Sequence, residues 1–227
     1  MVKNEPTTTK GEQTRETILQ AALELFRENG FDATTMQEIA ARAGVAKGAA
    51  YYYYASKEAI IQAYYEAIQS AQERICEEAF AKTKDLKKRL HLALHSKFDL
   101  AANDRKLLGI IFRYTGEPAH PLSCLGPQAA EMRSRAMQVF RAALEVKRLP
   151  RDLEQILPLA LWALQMGLLV MFLYDSSPEQ KRTRQLATGS IDFALKMLAL
   201  AKLPVLKPVR IRVLTLLREA ELLPDFS

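Results

Sequence analysis

Three features of the 227-residue sequence predict an all-α protein. Apolar residues recur every three or four positions through most of the chain, the period of a helix with one buried face. No two alternating apolar runs are separated by a hairpin turn, so strands have no evident pairing partner. A Gly-bearing turn at Gly44 joins two short periodic segments, the layout of a helix-turn-helix. No internal repeat or low-complexity tract is present. The expected architecture is an N-terminal three-helix domain at residues 11–65, with its helix-turn-helix at about 34–53. A larger helical domain follows at 66–201, then a tail at 202–227 whose sequence allows a helix.

After a polar, frayed start at 1–10, the first helix begins at Glu12 or Gln13. It carries Ile18, Leu19, Ala22, Leu25 and Phe26 on one face and ends at Gly30. Thr35-Met36-Gln37-Glu38 has capping-box spacing, in which the Thr35 hydroxyl accepts from the Glu38 N–H and the carboxylate reaches back. Ile39, Ala40 and Ala43 share one face of this second helix, and Gly44 stands where a helix end favours positive φ.

The third helix starts near Ala46 or Lys47 and is built for close approach to a DNA major groove. Lys47 can donate to guanine O6 and N7, Ala49 can touch a thymine methyl, and Gly48 adds no bulk. Gly48 lowers helix stability by about 1 kcal/mol relative to Ala, so another requirement favours it. Tyr51, Tyr52 and Tyr53 offer hydroxyls to phosphate oxygens, while Tyr54 occupies an apolar position. Ser56 caps the next helix and puts Lys57 at its positive end, a suitable phosphate site. With Thr35 and Gln37, the residues Lys47, Gly48, Ala49, Tyr51, Tyr52, Tyr53 and Lys57 form the candidate DNA-binding set.

The same stretch resembles the DNA-binding domain of the TetR family of bacterial transcriptional repressors. The residues that carry the resemblance are Thr35, Ile39, Ala40, Ala43, Gly44, Val45, Gly48, Tyr51, Tyr53, Lys57 and Glu58, all in register. Tyr54 replaces the family's usual Phe, Ala46 stands where Ser or Thr commonly caps the reading helix, and Ala50 where a larger apolar residue is common. The motif covers about a quarter of the chain. The resemblance implies a homodimer bound to palindromic double-stranded DNA, with the first helix bracing the helix-turn-helix. It also implies a small effector that moves the helix starting at Lys57 and so changes the separation of the two reading heads.

That connecting helix runs through Ile60, Ile61, Tyr64, Tyr65 and Ile68 to about Ala81. The basic cluster of Lys82, Lys84, Lys87, Lys88 and Arg89 reads as a solvated helix start more readily than as a second DNA contact. Leu90–Ala102 carry His91 and His95 at i and i+4, a metal-pair spacing, but no third ligand completes a set. No metal or other cofactor is expected. The alternative reading, an α-helical enzyme or metal sensor, would use these two histidines.

Residues 105–114 make a short helix, 116–127 a turn-rich loop, and 129–148 another helix. Ile156–Tyr174 is uncharged over nineteen residues, near the ~20 needed to span a bilayer. Pro158 and Gln165 interrupt it and no Lys/Arg cluster flanks it, so a helix buried on two sides is expected, and no membrane. By the resemblance, that helix faces the ligand cavity on one side and the dimer partner on the other. Pro178 opens a further helix to about Ala201. In the tail, Pro208–Glu221 allow a helix, although Val209-Arg210-Ile211-Arg212-Val213 alternates like a strand.

Phe98, Phe112, Trp162, Met166 and Phe172, with His95 as polar anchor, are the candidate effector residues and suggest an apolar or aromatic molecule. The plainer alternative is that they fill a core. Net charge is +6, yet residues 1–58 carry seven basic against eight acidic side chains. Placement of individual groups, and not net charge, therefore points to DNA. Cys76 and Cys124 lie far apart and suggest neither a disulfide framework nor a zinc site, and no apolar leader precedes the first helix. A cytoplasmic protein is expected. No nucleophile elbow, Walker loop or dinucleotide fingerprint is present, so enzymatic chemistry is not expected.

Overall fold

The computed structural model describes residues 9–117 and 119–223. The polar start at 1–8, part of the stretch read as frayed, lies outside the described residues. All regular elements among the described residues are helical. Contacts gather the chain into two units, one drawn from Met1–Ala67 and Lys106–Ala129, the other from Ile68–Arg105 and Ala130–Ser227. Residues 106–129 thus group with the N-terminal helices, although sequence order assigned them to the helical remainder.

In the first unit, α1 (Lys10–Asn29) starts earlier than its apolar period suggests, because Thr9 and Glu12 form a capping box. Gly30 ends it at φ 85°. Ile18, Ala22 and Phe26 are buried on the face that meets α2 (Met36–Arg42). The guanidinium of Arg42 spans Glu28 at 2.8 and 3.2 Å, bracing α2 against α1. Gly44 at φ 67° turns the chain into α3 (Lys47–Tyr53). Buried Ile39 and Ala50 pack inside this pair.

Helix α4 (Lys57–Phe80) contributes residues to both units. Its first part holds α6 (Arg105–Tyr114) and the loop after it. The Tyr65 hydroxyl donates to the Leu107 carbonyl, and Gln62 Nε2 donates to that of Pro121 at 2.8 Å. Arg113 of α6 also pairs with Asp32 at 2.6 Å.

The second unit builds on α5 (Leu86–Ala101), which contacts α7 (Ala130–Leu144), α8 (Arg151–Tyr174) and α9 (Lys181–Ala201). Phe98, Phe140 and Phe172 are among its fully buried side chains. Arg89, read from sequence as part of a solvated cluster, is instead buried. It donates to the carbonyls of Phe80 (2.5 Å), Thr83 (2.8 Å) and Ala142 (3.0 Å). A guanidinium has five donors, and three backbone carbonyls, two of them in the last turns of α4 and α7, offset its burial.

Helix α8 begins five residues before the uncharged run and continues through Pro158 with the loss of one backbone bond. It is long and apolar enough to cross a membrane by length and composition, with mean hydropathy 2.2 over an 18-residue window. Here Leu161, Trp162, Gln165, Leu168 and Phe172 are buried within the protein. Pro178–Gln180 form a 3-10 turn before α9, with Glu179 and Gln180 at φ 53° and 54°. The Asp175 carboxylate accepts from Ser177 N and Thr183 N, and from both hydroxyls, at 2.6–2.9 Å. Those bonds hold its pKa well below the usual carboxylate range.

The tail forms α10 (Lys207–Glu219). Its strand-like alternation gives way because Arg210 turns inward to Asp152 of α8 at 2.6 Å, with both side chains largely buried. Arg210 also donates to the Ala201 and Leu203 carbonyls. Arg210→Ala leaves the Asp152 carboxylate buried and unpaired. It is expected to lower stability by about 3 kcal/mol, read as a reduced midpoint in denaturant.

Candidate nucleic-acid interface

The helix-turn-helix is positioned by short-range bonds. Glu38 N donates to Thr35 Oγ1 at 3.2 Å and Thr35 N to Glu38 Oε2 at 2.7 Å, completing the expected capping box. The Thr35 hydroxyl also donates to that carboxylate at 2.8 Å, so its hydrogen is already engaged. Gln37 is exposed in the first turn of α2. Helix α3 has no side-chain cap at Ala46, as the departure from Ser or Thr there implies.

Successive residues of a helix are about 100° apart, so Lys47, Gly48, Tyr51 and Tyr52 share one outer face of α3. All four are exposed, Tyr51 to 46% and Tyr52 to 83%. A Cβ on Gly48 would meet nothing within 4 Å, so the absent side chain answers no need of the fold. Ala50 and Tyr54 are buried on the inner face. The Tyr54 hydroxyl donates to the Arg15 carbonyl at 3.5 Å, and burial raises its pKa. Ala49 and Tyr53, which sequence grouped with the reading residues, are half-buried at the edges of the outer face. Tyr53 packs its ring edge-on to Tyr52, and its hydroxyl would lie 3.6 Å from a Cβ on Gly11.

Lys57 is placed differently from the expectation. Its ammonium donates to the carbonyls of Phe31 (2.7 Å) and Asp32 (3.2 Å) and lies 4.8 Å from the centre of the Phe31 ring. The charge thus braces the turn between α1 and α2. Lys57→Met is expected to lower stability by about 2 kcal/mol, because two carbonyls lose a charged donor. The salt slope of DNA binding should stay unchanged, whereas a slope reduced by about one would place this ammonium on a phosphate.

The candidate effector residues divide between the units. Phe112 is half-buried in α6, within the first unit. In the second, Phe98 and Phe172 stack on each other with ring centres 5.0 Å apart, and both are fully buried, as core residues are. Trp162 is buried and Met166 half-buried on α8. His95 meets the Phe98 ring edge-on, and its Nε2 lies 3.2 Å from the Thr188 hydroxyl. Burial, with His91 and Arg184 nearby, pushes its pKa down to about 4, so it is neutral near pH 7.

A cleft of about 490 Å³ opens beside it, lined by His91, His95, Lys181, Arg184, Gln185 and Thr188 among others. The two imidazoles stack face to face at 3.9 Å. No group of three or more His, Cys, Asp or Glu side chains fit to hold a metal occurs among the described residues. The donor set therefore does not favour the metal-sensor alternative. Sequence reasoning missed Arg89 and Arg210, each with a partner far away along the chain, Ala142 and Asp152, and also Asp175, whose partners Ser177 and Thr183 are local.

Residues 18–64 match the family model described as bacterial regulatory proteins, tetR family. Residues 89–210 match that of the tetracyclin repressor-like C-terminal domain. The uncharacterized HTH-type transcriptional regulator YdgC of Bacillus subtilis is 29% identical over 143 residues, 61% of this chain and 68% of that protein. YerO of the same organism, also described as an uncharacterized HTH-type regulator, is 47% identical over 47 residues, 21% of this chain and 16% of YerO. A TetR transcriptional regulator from Nitrosomonas europaea superposes with TM-score 0.65 at 23% identity, covering 80% of this chain and 97% of that one. A SmeT–triclosan complex does so with TM-score 0.61 at 26% identity, covering 80% and 91%.

Proposed function

As a member of the TetR family of bacterial regulatory proteins, and so a DNA-binding transcriptional regulator, this chain is, we propose, a repressor released from a palindromic operator by a small apolar effector. The observation that carries the reading is the outer face of α3, where Lys47, Gly48, Tyr51 and Tyr52 stand exposed beside the capped and braced α2. Lys47 reads a base edge, the tyrosine hydroxyls hold phosphates, and Gly48 lets the backbone approach. Thr35 and Gln37 flank the groove at the start of α2. Ala49 and Tyr53 contribute from the edges of the same helix, and Lys57 acts by holding the turn.

The working unit is a homodimer in the cytoplasm. Support comes from α9, where Leu186, Phe193, Met197 and Leu200 are exposed at spacings of seven, four and three, the repeat of a helix seam. Exposed Val170, Met171 and Tyr174 on α8 extend the same chemistry. The effector binds in the second unit, near Trp162, Met166 and His95. A compound that binds the free protein more tightly than the DNA complex lowers operator affinity by the same factor. The SmeT complex with triclosan, an organic small molecule, is a precedent for such a ligand on this fold.

Lys47→Ala is expected to cost roughly 1–3 kcal/mol on the preferred operator and to relax its sequence preference. Binding measured on a set of single-base operator variants checks both. An unchanged preference would remove Lys47 from the base-reading role.

A further inference from the structure

We propose that Lys97, with Gln69 and Gln72, forms the head-group site for an apolar hydroxy acid bound as its carboxylate. The inference rests on the effector reading above, keeps its apolar wall at Trp162 and assigns the polar anchor to Lys97 in place of His95. Lys97 lies on the face of α5 turned toward α4, away from His95, which faces α9. Its ammonium donates to Gln69 Oε1 at 2.6 Å, and no carboxylate bonds it directly. The nearest acid, Glu73, is held by Arg135 of α7 through two bonds of 2.7 and 3.0 Å and also accepts from Gln69 at 3.1 Å.

Lys97 thus meets a neutral amide oxygen, while Glu73 is taken up by Arg135. Burial drives the Lys97 pKa down to about 8, with Glu73 opposing the shift. A half-buried charge that meets a neutral amide is costly to desolvate, and an incoming carboxylate supplies a direct counter-charge.

A second group points to the same place. Gln72 is almost fully buried one turn along α4 from Gln69, and its Nε2 donates to the Ala93 carbonyl at 2.8 Å. Its Oε1 has no partner. A buried acceptor left unmatched calls for a donor. Ala93 also accepts from Gln165 of α8 at 3.0 Å, so the strip reaches the helix on which Trp162 and Leu169 are buried, one turn either side of Gln165. Those side chains supply the apolar wall for the body of the acid. An anionic oxygen for Lys97, a donor for Gln72 within about one helical turn (~5 Å), and an apolar body together define the class.

The test is thermal unfolding of the full chain with salicylate, 3-hydroxy-2-naphthoate and 3-hydroxydecanoate, each beside its methyl ester and its deoxy acid. At about a hundredfold excess over Kd, a binding acid should raise Tm by about 5–10 °C. The ester and the deoxy acid should each give less than half that shift. Lys97→Gln keeps an N–H for Gln69 and removes the charge. It should melt within about 2 °C of the parent and lose the response to the acid at least tenfold in concentration.

The same acid should weaken operator binding by the parent and not by the variant. Equal stabilisation by acid and ester would overturn the head-group site and leave the effector reading standing. Equal stabilisation by hydroxy and deoxy acids would remove Gln72 from it. A Lys97→Gln protein melting more than about 5 °C lower would mark Lys97 as a structural brace and overturn the proposal. Silence from every compound would overturn the head-group site and leave the effector reading to compounds of other classes.

Discussion

Gly48→Glu is expected to abolish operator binding while leaving the chain folded. Gly48 lies in the second position of α3, exposed, with open space where a Cβ would go. A side chain there strains nothing in the free protein, and the change from glycine adds up to about 1 kcal/mol of helix propensity. Against DNA the same atoms stand between the helix backbone and the groove floor, and the carboxylate faces phosphates. A loss of at least about a hundredfold, on the order of 3 kcal/mol, is the expected outcome. The measurement pairs a thermal melt, unchanged or raised, with fluorescence anisotropy on the operator at fixed salt. Affinity within threefold of the parent would show that this face of α3 does not enter the groove.

Phe193→Asp should produce a folded monomer that binds operator at least a hundredfold more weakly. Phe193 is 62% exposed at the middle of the α9 seam, between Leu186 and Met197. A large aromatic left in water at such a position marks a surface meant to be covered. An aspartate there sets two like charges near each other across a two-fold interface and removes apolar area from its centre. Loss of the dimer removes the second reading head, and with it the gain from holding both half-sites at once. Sedimentation at micromolar concentration reads the first effect and anisotropy the second. A variant that remains dimeric would place the interface elsewhere.

The parts of this structure that were legible in the sequence are those settled by residues close together in the chain. Thr35 and Glu38 are three apart, and their capping box formed as the spacing implied. Gly30 and Gly44 end their helices at positive φ because few other residues accept that conformation. The α1 capping box at Thr9 and Glu12 was equally local, but it lay in a polar stretch without apolar period and so was passed over.

What escaped the sequence depends on distant partners. Arg210 turned an alternating run into a helix because Asp152, far back in the chain, accepts it. Arg89 looked like one of five surface cations until the carbonyls of Phe80, Thr83 and Ala142 claimed it. Of the candidate reading residues, Lys47, Gly48, Tyr51 and Tyr52 are exposed together, as the pattern required. Lys57 is spent on the Phe31 and Asp32 carbonyls, which no local rule announces. The effector set was least legible, since aromatic residues at helical spacing look alike whether they fill a core or line a site. Phe98 and Phe172 fill one.

The most direct test of the account is selection of bound duplexes from a random library by the purified full chain. The account predicts one enriched palindrome, its half-sites centred one helical turn apart, about 34–36 Å, or a multiple of that. No enrichment at low salt, or enrichment of a single unpaired half-site, would contradict a dimer that reads DNA through α3.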